Sequence, residues 1–329
     1  MYKRQELTID ADPGDIEWNK IALKVAEQVA MLQKLSTLSF YFPSTESLEM
    51  FTQNSIPWKR DISQPGDTFP SFNFYVYSEE THKSPKVDVS KCTDERYLFY
   101  SDGKDIPDAI KEVLSRTYAF ELIAHQSIQD ISELGIEGMK DLEICRVERC
   151  NVMLAFLGSQ VPSTPVFQWL KELYLCQLQR LNAICRGPVP LDSFPRLRTL
   201  AVDDCPNLTE LLSWEMAQQL LNLEHLKVKN CPQVKEIVAT DSQSREAGKF
   251  HKMKILELEE LGGLNSIHPN DAFEWPELQK VKIDRCDNLL NLFLSTTNAS
   301  KLHHIECKRG WWEQLNDKAN LECFCYFTD

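Results

Sequence analysis

His303, His304 and Cys307 fall within one short stretch, LHHIEC. A thiol beside an imidazole is the smallest pair that can perform nucleophilic hydrolysis, the base drawing off the proton that lets sulfur attack. Four more thiols, Cys150, Cys205, Cys231 and Cys286, recur along the chain, three of them followed by Pro or Asp, and would suit zinc if they converged on a point. The segment AGKF at 247–250 approaches a phosphate loop but lacks the glycine-rich lead, and Cys323 and Cys325 are too closely spaced for CxxC. No GxxxxGK(S/T), GxGxxG beside a strand, HExxH or GxSxG occurs. Which of these side chains can meet depends on the elements that carry them.

Those elements announce themselves by a spacing. LRTLAVDDCPNLTELL, from Leu197, places apolar residues or Cys at offsets 0, 3, 5, 8, 11 and 14. The same rhythm returns in LEICRVERCNVMLAFL from Leu142, LKELYLCQLQRLNAIC from Leu170, LEHLKVKNCPQVKEIV from Leu223, MKILELEELGGLNSIH from Met253 and LQKVKIDRCDNLLNLF from Leu278. TYAFELIAHQSIQDIS from Thr117 is a fainter copy, weaker echoes begin near Leu35, Phe69 and Glu95, and Leu302 opens one more copy that breaks off. A period of about 20 to 29 residues, give or take an insertion, is that of leucine-rich repeats. Offsets 3 and 5 alternate with polar residues as a strand with one buried face does, and offsets 8, 11 and 14 fasten the returning turn. One such coil cannot bury its apolar side alone, so coils stack. The prediction is an α/β leucine-rich repeat solenoid, with a curved parallel sheet on the concave face and short helices and loops on the convex face.

This register disposes of the candidate chemistry. Cys150, Cys205, Cys231 and Cys286 all take offset 8, one thiol per coil, which forms a column of small apolar fillers rather than a tetrahedral zinc site. Cys307 takes the buried offset 5, with His303 and His304 flanking a core Ile305. The expectation is therefore no catalysis, no metal and no cofactor.

The chain has 329 residues, a net charge of −13 and 11 cysteines. That charge repels phosphate backbones and anionic lipid, which argues against nucleic acid. An odd number of scattered cysteines suits reduced thiols, no apolar run nears the roughly 18 residues of a membrane span, and the first residues lack a signal peptide's apolar core. These features predict a cytoplasmic protein, and the sequons at Asn207 and Asn298 are set aside on the same ground. Residues 1–34 are expected to form an N-terminal helix and cap, with Ile21, Val25, Val29 and Leu32 on the apolar side of a helix over 16–34 and Ile16, Trp18 and Leu35 near the same side. Residues 35–310 are expected to hold the repeats, irregular over 35–116 and regular over 117–310, and residues 311–329 a C-terminal cap closed by Trp311 and Trp312. Short helices are predicted over 106–118 and in WEMAQQLLN, and a mobile loop over 239–250.

Residues at offsets 2, 4 and 6 should leave the sheet toward a partner. Offset 4 collects Glu121, Arg146, Tyr174, Ala201, Lys227, Glu257, Lys282 and Glu306, and offset 6 includes Glu148, Asp203, Lys229, Glu259 and Asp284. With rungs about 4.8 Å apart, Lys227, Glu257, Lys282 and Glu306 form an alternating ladder, which either avoids repulsion or meets a partner's charges. The candidate partner-binding residues are Arg146, Tyr174, Asp203, Lys227, Lys229, Glu257, Glu259, Lys280, Lys282 and Asp284. Tyr174 beside Arg146 is the anchor candidate, since aromatics and Arg concentrate at hot spots.

The LxxLxVxxCPxLxxL cadence, the loop after EIV, the stretch VLSRTYAFELIAHQSIQDISELGIEGMKDLEICRVERCN and the terminal WWEQL resemble one family. It is the leucine-rich repeat region of plant coiled-coil, nucleotide-binding disease-resistance proteins of the type common in grasses. The resemblance runs from about Ala22 onward. It implies an immune receptor whose solenoid senses pathogen effectors, or their effects on a guarded host protein, and restrains a nucleotide switch. That family's P-loop, second nucleotide motif, MHD-type motif and coiled coil are missing here, which implies a fragment, a truncated paralogue or a stand-alone sensor. The alternative reading is a substrate-recognition solenoid of a ubiquitin-ligase adaptor, although 34 residues before the first repeat are too few for an F-box. A Cys/His hydrolase is the remote alternative.

Overall fold

The structure, a computed structural model, describes residues 5–9, 11, 15–60, 71–76, 86–160, 162–239, 249–268, 273–318 and 321–328. Two units make up the chain, one of Met1–Ser127 with Glu133–Val147, the other of Ile128–Ser132 with Glu148–Asp329.

In the first unit strands follow one another in sheet order as β1 (Gln5–Ile9), β2 (Leu35–Phe42), β3 (Ser71–Val76), β4 (Arg96–Ser101), β5 (Ala119–Ile123) and β6 (Ile144–Glu148). The pairings from β1 to β5 are all parallel. The faint echoes near Leu35, Phe69 and Glu95 are thus real rungs. A strand in Gln5–Ile9 was not expected.

Helix α1 spans Ile16–Ala30, with the Asp15 side chain accepting from the amides of Glu17 and Trp18. Its buried side is Trp18, Ala22, Ala26, Val29 and Ala30, whereas Ile21 and Leu32 are exposed. Of the expected apolar side, Trp18, Val29 and Leu35 are buried and Val25 is half-buried, whereas Ile16, Ile21 and Leu32 are not covered. Alanines permit a close approach that β-branched residues would block, and the Trp18 ring sits 5.6 Å from Phe40. Helix α2 (Thr45–Asn54) packs on α1. Helix α3 (Asp108–Leu114) is shorter than predicted, and Pro107 is its N-cap. Beneath them lies an aromatic core of Phe40, Phe42, Phe51, Trp58, Phe72 and Phe74, all buried.

The second unit repeats more strictly. Strands β8 (Glu172–Cys176), β10 (Thr199–Asp203), β11 (His225–Lys229), β12 (Ile255–Glu259), β13 (Lys280–Asp284), β14 (His304–Cys307) and β15 (Cys325–Phe327) form a parallel row. Leu173, Leu200, Leu226, Leu256, Val281 and Ile305 stand opposite one another in register. Offset 3 is thereby an aliphatic rib, as the spacing requires. On the far side β7 (Ala155–Leu157) pairs with β9 (Ala183–Cys185), and isolated bridges continue that thinner row. One helical turn, α4 (Trp214–Gln219), forms where WEMAQQLLN predicts it.

Each coil turns at offset 7 through a residue with positive φ: Arg149, Gln177, Asp204, Asn230, Glu260 and Arg285. There the amide is turned toward the next coil. Gln177 N–H donates to Asp203 O at 2.8 Å, Asp204 N–H to Lys229 O at 3.1 Å, and Glu260 N–H to Asp284 O at 2.8 Å. Gly263 sits against the neighbouring coil so closely that a Cβ would meet Pro232 O at 2.3 Å. After α5 (Arg309–Gln314), strand β15 adds a further rung. Trp311 is buried and its indole N–H reaches Cys286 O and Leu289 O, each at 3.1 Å. The predicted mobile loop over 239–250 lies largely outside the described residues. Among those residues no helix is long and apolar enough to cross a membrane.

Candidate functional site

The thiols take the places the register assigns. Cys150, Cys205, Cys231 and Cys286 are fully buried. Each thiol donates back to the carbonyl at offset 6 of its own coil: Cys231 to Lys229 O at 3.2 Å, Cys286 to Asp284 O at 3.5 Å, Cys205 to Asp203 O at 3.7 Å and Cys150 to Glu148 O at 3.6 Å. A weak donor small enough to fit inside the bend is the reason Cys recurs there. Burial pushes the Cys286 thiol up to about 12, and it is inert as a nucleophile. Among the described residues no group of three or more His, Cys, Asp or Glu is arranged to hold a metal ion.

Cys307 is buried in the inner row, opposite Ile283 and Phe327, and its sulfur lies 3.5 Å from that of Cys325. Burial raises its pKa first of all, and the neighbouring thiol adds to the effect. His303 turns to Lys301 O at 3.0 Å, while His304 stacks on Tyr326 with ring centroids 4.3 Å apart. Neither imidazole is turned to Cys307, and nothing among the described residues indicates catalysis.

The outward face of β11 to β14 carries the charge ladder. Lys227 lies 3.4 Å from Glu257, Lys229 3.7 Å from Glu259, Lys282 2.8 Å from Glu259 and 3.7 Å from Glu306, and Lys280 2.8 Å from Glu306. His225 adds a contact of 3.7 Å to Glu257, and Lys308 one of 3.2 Å to Asp284. The hydrogen bond from Lys282 holds the Glu259 carboxyl below its usual range, and that from Lys280 does the same for Glu306. At Asp284 burial opposes ionisation, but the bonds from Lys308 and Arg285 outweigh it and the pKa falls. Asp203 is opposite: burial dominates over Lys229 and its pKa is raised. The lysines stay about a third exposed, with Lys227 at 39% and Lys229 at 37%. The Tyr174 hydroxyl donates to Glu172 at 2.6 Å on β8.

Glu121, expected on the open face, differs. Arg146 lies on β6 in the first unit, where its charge acts on Glu121. Glu121 itself is fully buried, not presented. Its Oε1 accepts from Lys86 N–H at 2.8 Å, Val87 N–H at 3.2 Å and the Tyr97 hydroxyl at 2.9 Å. Segment 86–87 therefore covers the face that the repeat alone would leave open, and burial raises the Glu121 pKa despite those donors.

One feature escaped the register because it lies at the ends of the strands. Consecutive amides bind the carbonyls one coil back at offset 1, Arg198 to Lys171 at 2.8 Å, Glu224 to Arg198 at 2.8 Å and Lys254 to Glu224 at 2.8 Å, so these residues stack along the N-terminal edge of the sheet. Just before them the Arg196 guanidinium lies 3.5 Å over the Trp169 ring, and Trp169 remains 42% exposed. A Trp and an Arg preceding successive Leu residues was the available signal.

The profile of plant disease resistance protein RPS2-like leucine-rich repeats matches residues 118–232 and 169–309. An Arabidopsis thaliana protein named for disease resistance, At4g19050, is 30% identical over 176 residues, which is 51% of this chain and 13% of that protein. The chain thus matches only a small part of that relative's length. The solved leucine-rich repeat domain of the type III effector XCV3220 (XopL) aligns over 96% of this chain and 85% of that one, with a TM-score of 0.50 and 14% identity. That last likeness concerns the fold alone.

Proposed function

From the premise that the chain belongs to the leucine-rich repeat family of RPS2-like plant disease resistance proteins, we propose that it is the protein-recognition part of a cytoplasmic plant immune receptor, of the grass-type coiled-coil, nucleotide-binding class. In that role it senses a pathogen effector, or the effector's action on a guarded host protein, and contacts a nucleotide-binding module. Residues 1–34 and 311–329 serve as end units, and the repeats of 35–310 carry recognition.

The observation that carries this reading is the face of β11 to β14, where Lys227, Glu257, Lys282 and Glu306 alternate in register and the lysine side chains stay about a third exposed. A partner with complementary charges can exchange these pairs one for one, which favours specificity and fast encounter over raw affinity. Restraint of a switch then follows from differential binding, the effector engaging the face more favourably in the activated arrangement than in the resting one. Tyr174 and Asp203 on β8 and β10 flank the ladder as further contacts.

The test is quantitative co-precipitation from challenged and unchallenged plant extracts, comparing the wild type with a Lys227→Met, Lys229→Met variant whose melting temperature matches it. The variant should lose about tenfold of a challenge-dependent protein partner. Equal recovery by both chains would overturn the assignment of the face.

A further inference from the structure

We propose that the N-terminal edge of β8, β10, β11 and β12 is a second docking site, for an acidic protein segment that carries one bulky apolar side chain. The inference does not use the ladder residues, so it stands or falls apart from the function proposed above.

Three exposed apolar side chains meet this edge: Trp169 at 42%, Leu191 at 79% and Leu221 at 50% exposure. Hydrogen bonds fix their neighbourhood. Gln168, next to Trp169, donates through Nε2 to Asp192 O at 2.6 Å, which brings Leu191 alongside. Asn222, next to Leu221, donates through Nδ2 to Pro195 O at 2.6 Å, which brings Leu221 beside Arg196. The Arg196 guanidinium carbon lies over the Trp169 ring, 3.5 Å from its centroid. A guanidinium over an indole keeps its edge N–H groups directed outward and makes one platform with an apolar and a cationic part.

The charge of the edge sets the partner. Arg198 is 65% and Lys254 44% exposed, and both lean on a single carboxylate, Glu224, at 3.9 and 2.6 Å. With Lys171 and Arg196 the edge holds four cations against the carboxylates of Glu224 and Asp192, on a chain whose net charge is −13. An acidic segment is repelled by the net charge of the whole molecule and attracted only locally here, so the cation cluster decides where it docks. Polyphosphate would also seek the cations. The aliphatic Leu191 and Leu221 on either side of the stack favour a polypeptide with an apolar anchor, whose burial supplies affinity that nucleic acid cannot draw from leucine.

The probe is a fluorescein-labelled polyglutamate peptide with one central tryptophan, titrated with the full chain and read by fluorescence anisotropy. The same peptide with alanine at the centre, and a single-stranded oligonucleotide, serve as competitors. The tryptophan peptide should bind about tenfold more tightly than the alanine peptide. Trp169→Ala with Leu221→Ala should erase that difference, and Arg198→Gln with Lys254→Gln should weaken both peptides about tenfold and flatten their salt dependence. Lys227→Met, Lys229→Met should leave binding unchanged, which separates this edge from the ladder. All these side chains are solvent-accessible, so melting temperatures should match the wild type and report folding. Absence of binding, equal affinity for the two peptides, indifference to the edge variants, or tighter binding of the oligonucleotide would each overturn the proposal.

Discussion

Both units lay parallel strands side by side, yet the outward face of the sheet is shut over β4 and β5 of the first and open over β11 to β14 of the second. In the first, Tyr97, Phe99, Glu121 and Ile123 lie on that face and are almost wholly buried. In the second, the equivalent places hold Lys227, Glu257, Lys282 and Glu306, which pair with one another and remain wet. The same backbone rhythm therefore produces a two-sided core in one region and a one-sided core with a free surface in the other. What differs is side-chain chemistry: rings and a single carboxylate beneath a covering segment against alternating long charged chains.

The sharpest way to break this comparison is to remove bulk from each core. Phe74 is fully buried among Phe42 at 5.2 Å, Phe51 at 5.6 Å, Trp58 at 5.7 Å and Phe72 at 4.7 Å. Phe74→Ala should cost about 3–5 kcal/mol in urea unfolding, with faster amide exchange in β2 to β4. Leu226→Ala in the aliphatic rib removes fewer atoms and should cost about 3 kcal/mol. A larger loss at Leu226 would mean that the aromatic core is not the tighter of the two.

The next effect in size concerns Glu121, and its pH dependence carries a sign. Burial raises its folded pKa, so its contribution to stability is greatest below the unfolded value of about 4.3 and declines as pH rises through the folded value. Glu121→Gln should remove that decline while keeping an oxygen for the donors from Lys86, Val87 and Tyr97. Glu121→Ala leaves all three donors unmet and should cost about 1–3 kcal/mol by thermal unfolding at neutral pH. The ladder has the opposite sign. Hydrogen bonds from Lys282 and Lys280 depress Glu259 and Glu306, so their contribution is present above about pH 4.3 and is lost as pH falls through the folded values. Lys282→Met should remove part of that acid loss, and because these pairs are solvent-screened the change at neutral pH should be no more than about 0.5 kcal/mol. Acid titrations of the two variants with equal slopes would erase the distinction between the faces.

How much of this was legible follows from where the determinants lie. The rib Leu200, Leu226, Leu256 and Val281 and the ladder register could be read directly, because one coil follows the next with few insertions and the period-2 alternation admits one register. The Cys column was legible as packing, but its recurring S–H to carbonyl contact was not. Glu121 misled because the repeat says which way a side chain leaves the sheet, not whether a distant segment such as Lys86 and Val87 returns to cover it. In α1, hydropathy favoured Ile21 and Leu32 over the alanines, whereas helix and sheet approach each other along the small side chains. The Trp169 and Arg196 platform lay outside the offsets that periodicity examines.

The smallest effect tests what the two units share. Asp102 and Ala124 in the first, and Gln177, Asp204 and Asn230 in the second, all turn the chain with φ near +50°, without a glycine among them. For Gln177, φ is 54°, the amide is bonded to Asp203 O at 2.8 Å and the side chain is exposed. An L-residue in this conformation costs about 1 kcal/mol, which glycine avoids, but glycine also frees the unfolded chain by a similar amount. Gln177→Gly should therefore change stability by about 0–1 kcal/mol, in the stabilising direction, and Ala124→Gly should do likewise. Gln177→Val, whose branched side chain resists positive φ, should destabilise. Parallel behaviour at Gln177 and Ala124 would mean that the turn is set by the backbone bond to the next coil. A stabilising glycine at one and a destabilising one at the other would place the difference between the units in their turns as well as in their faces.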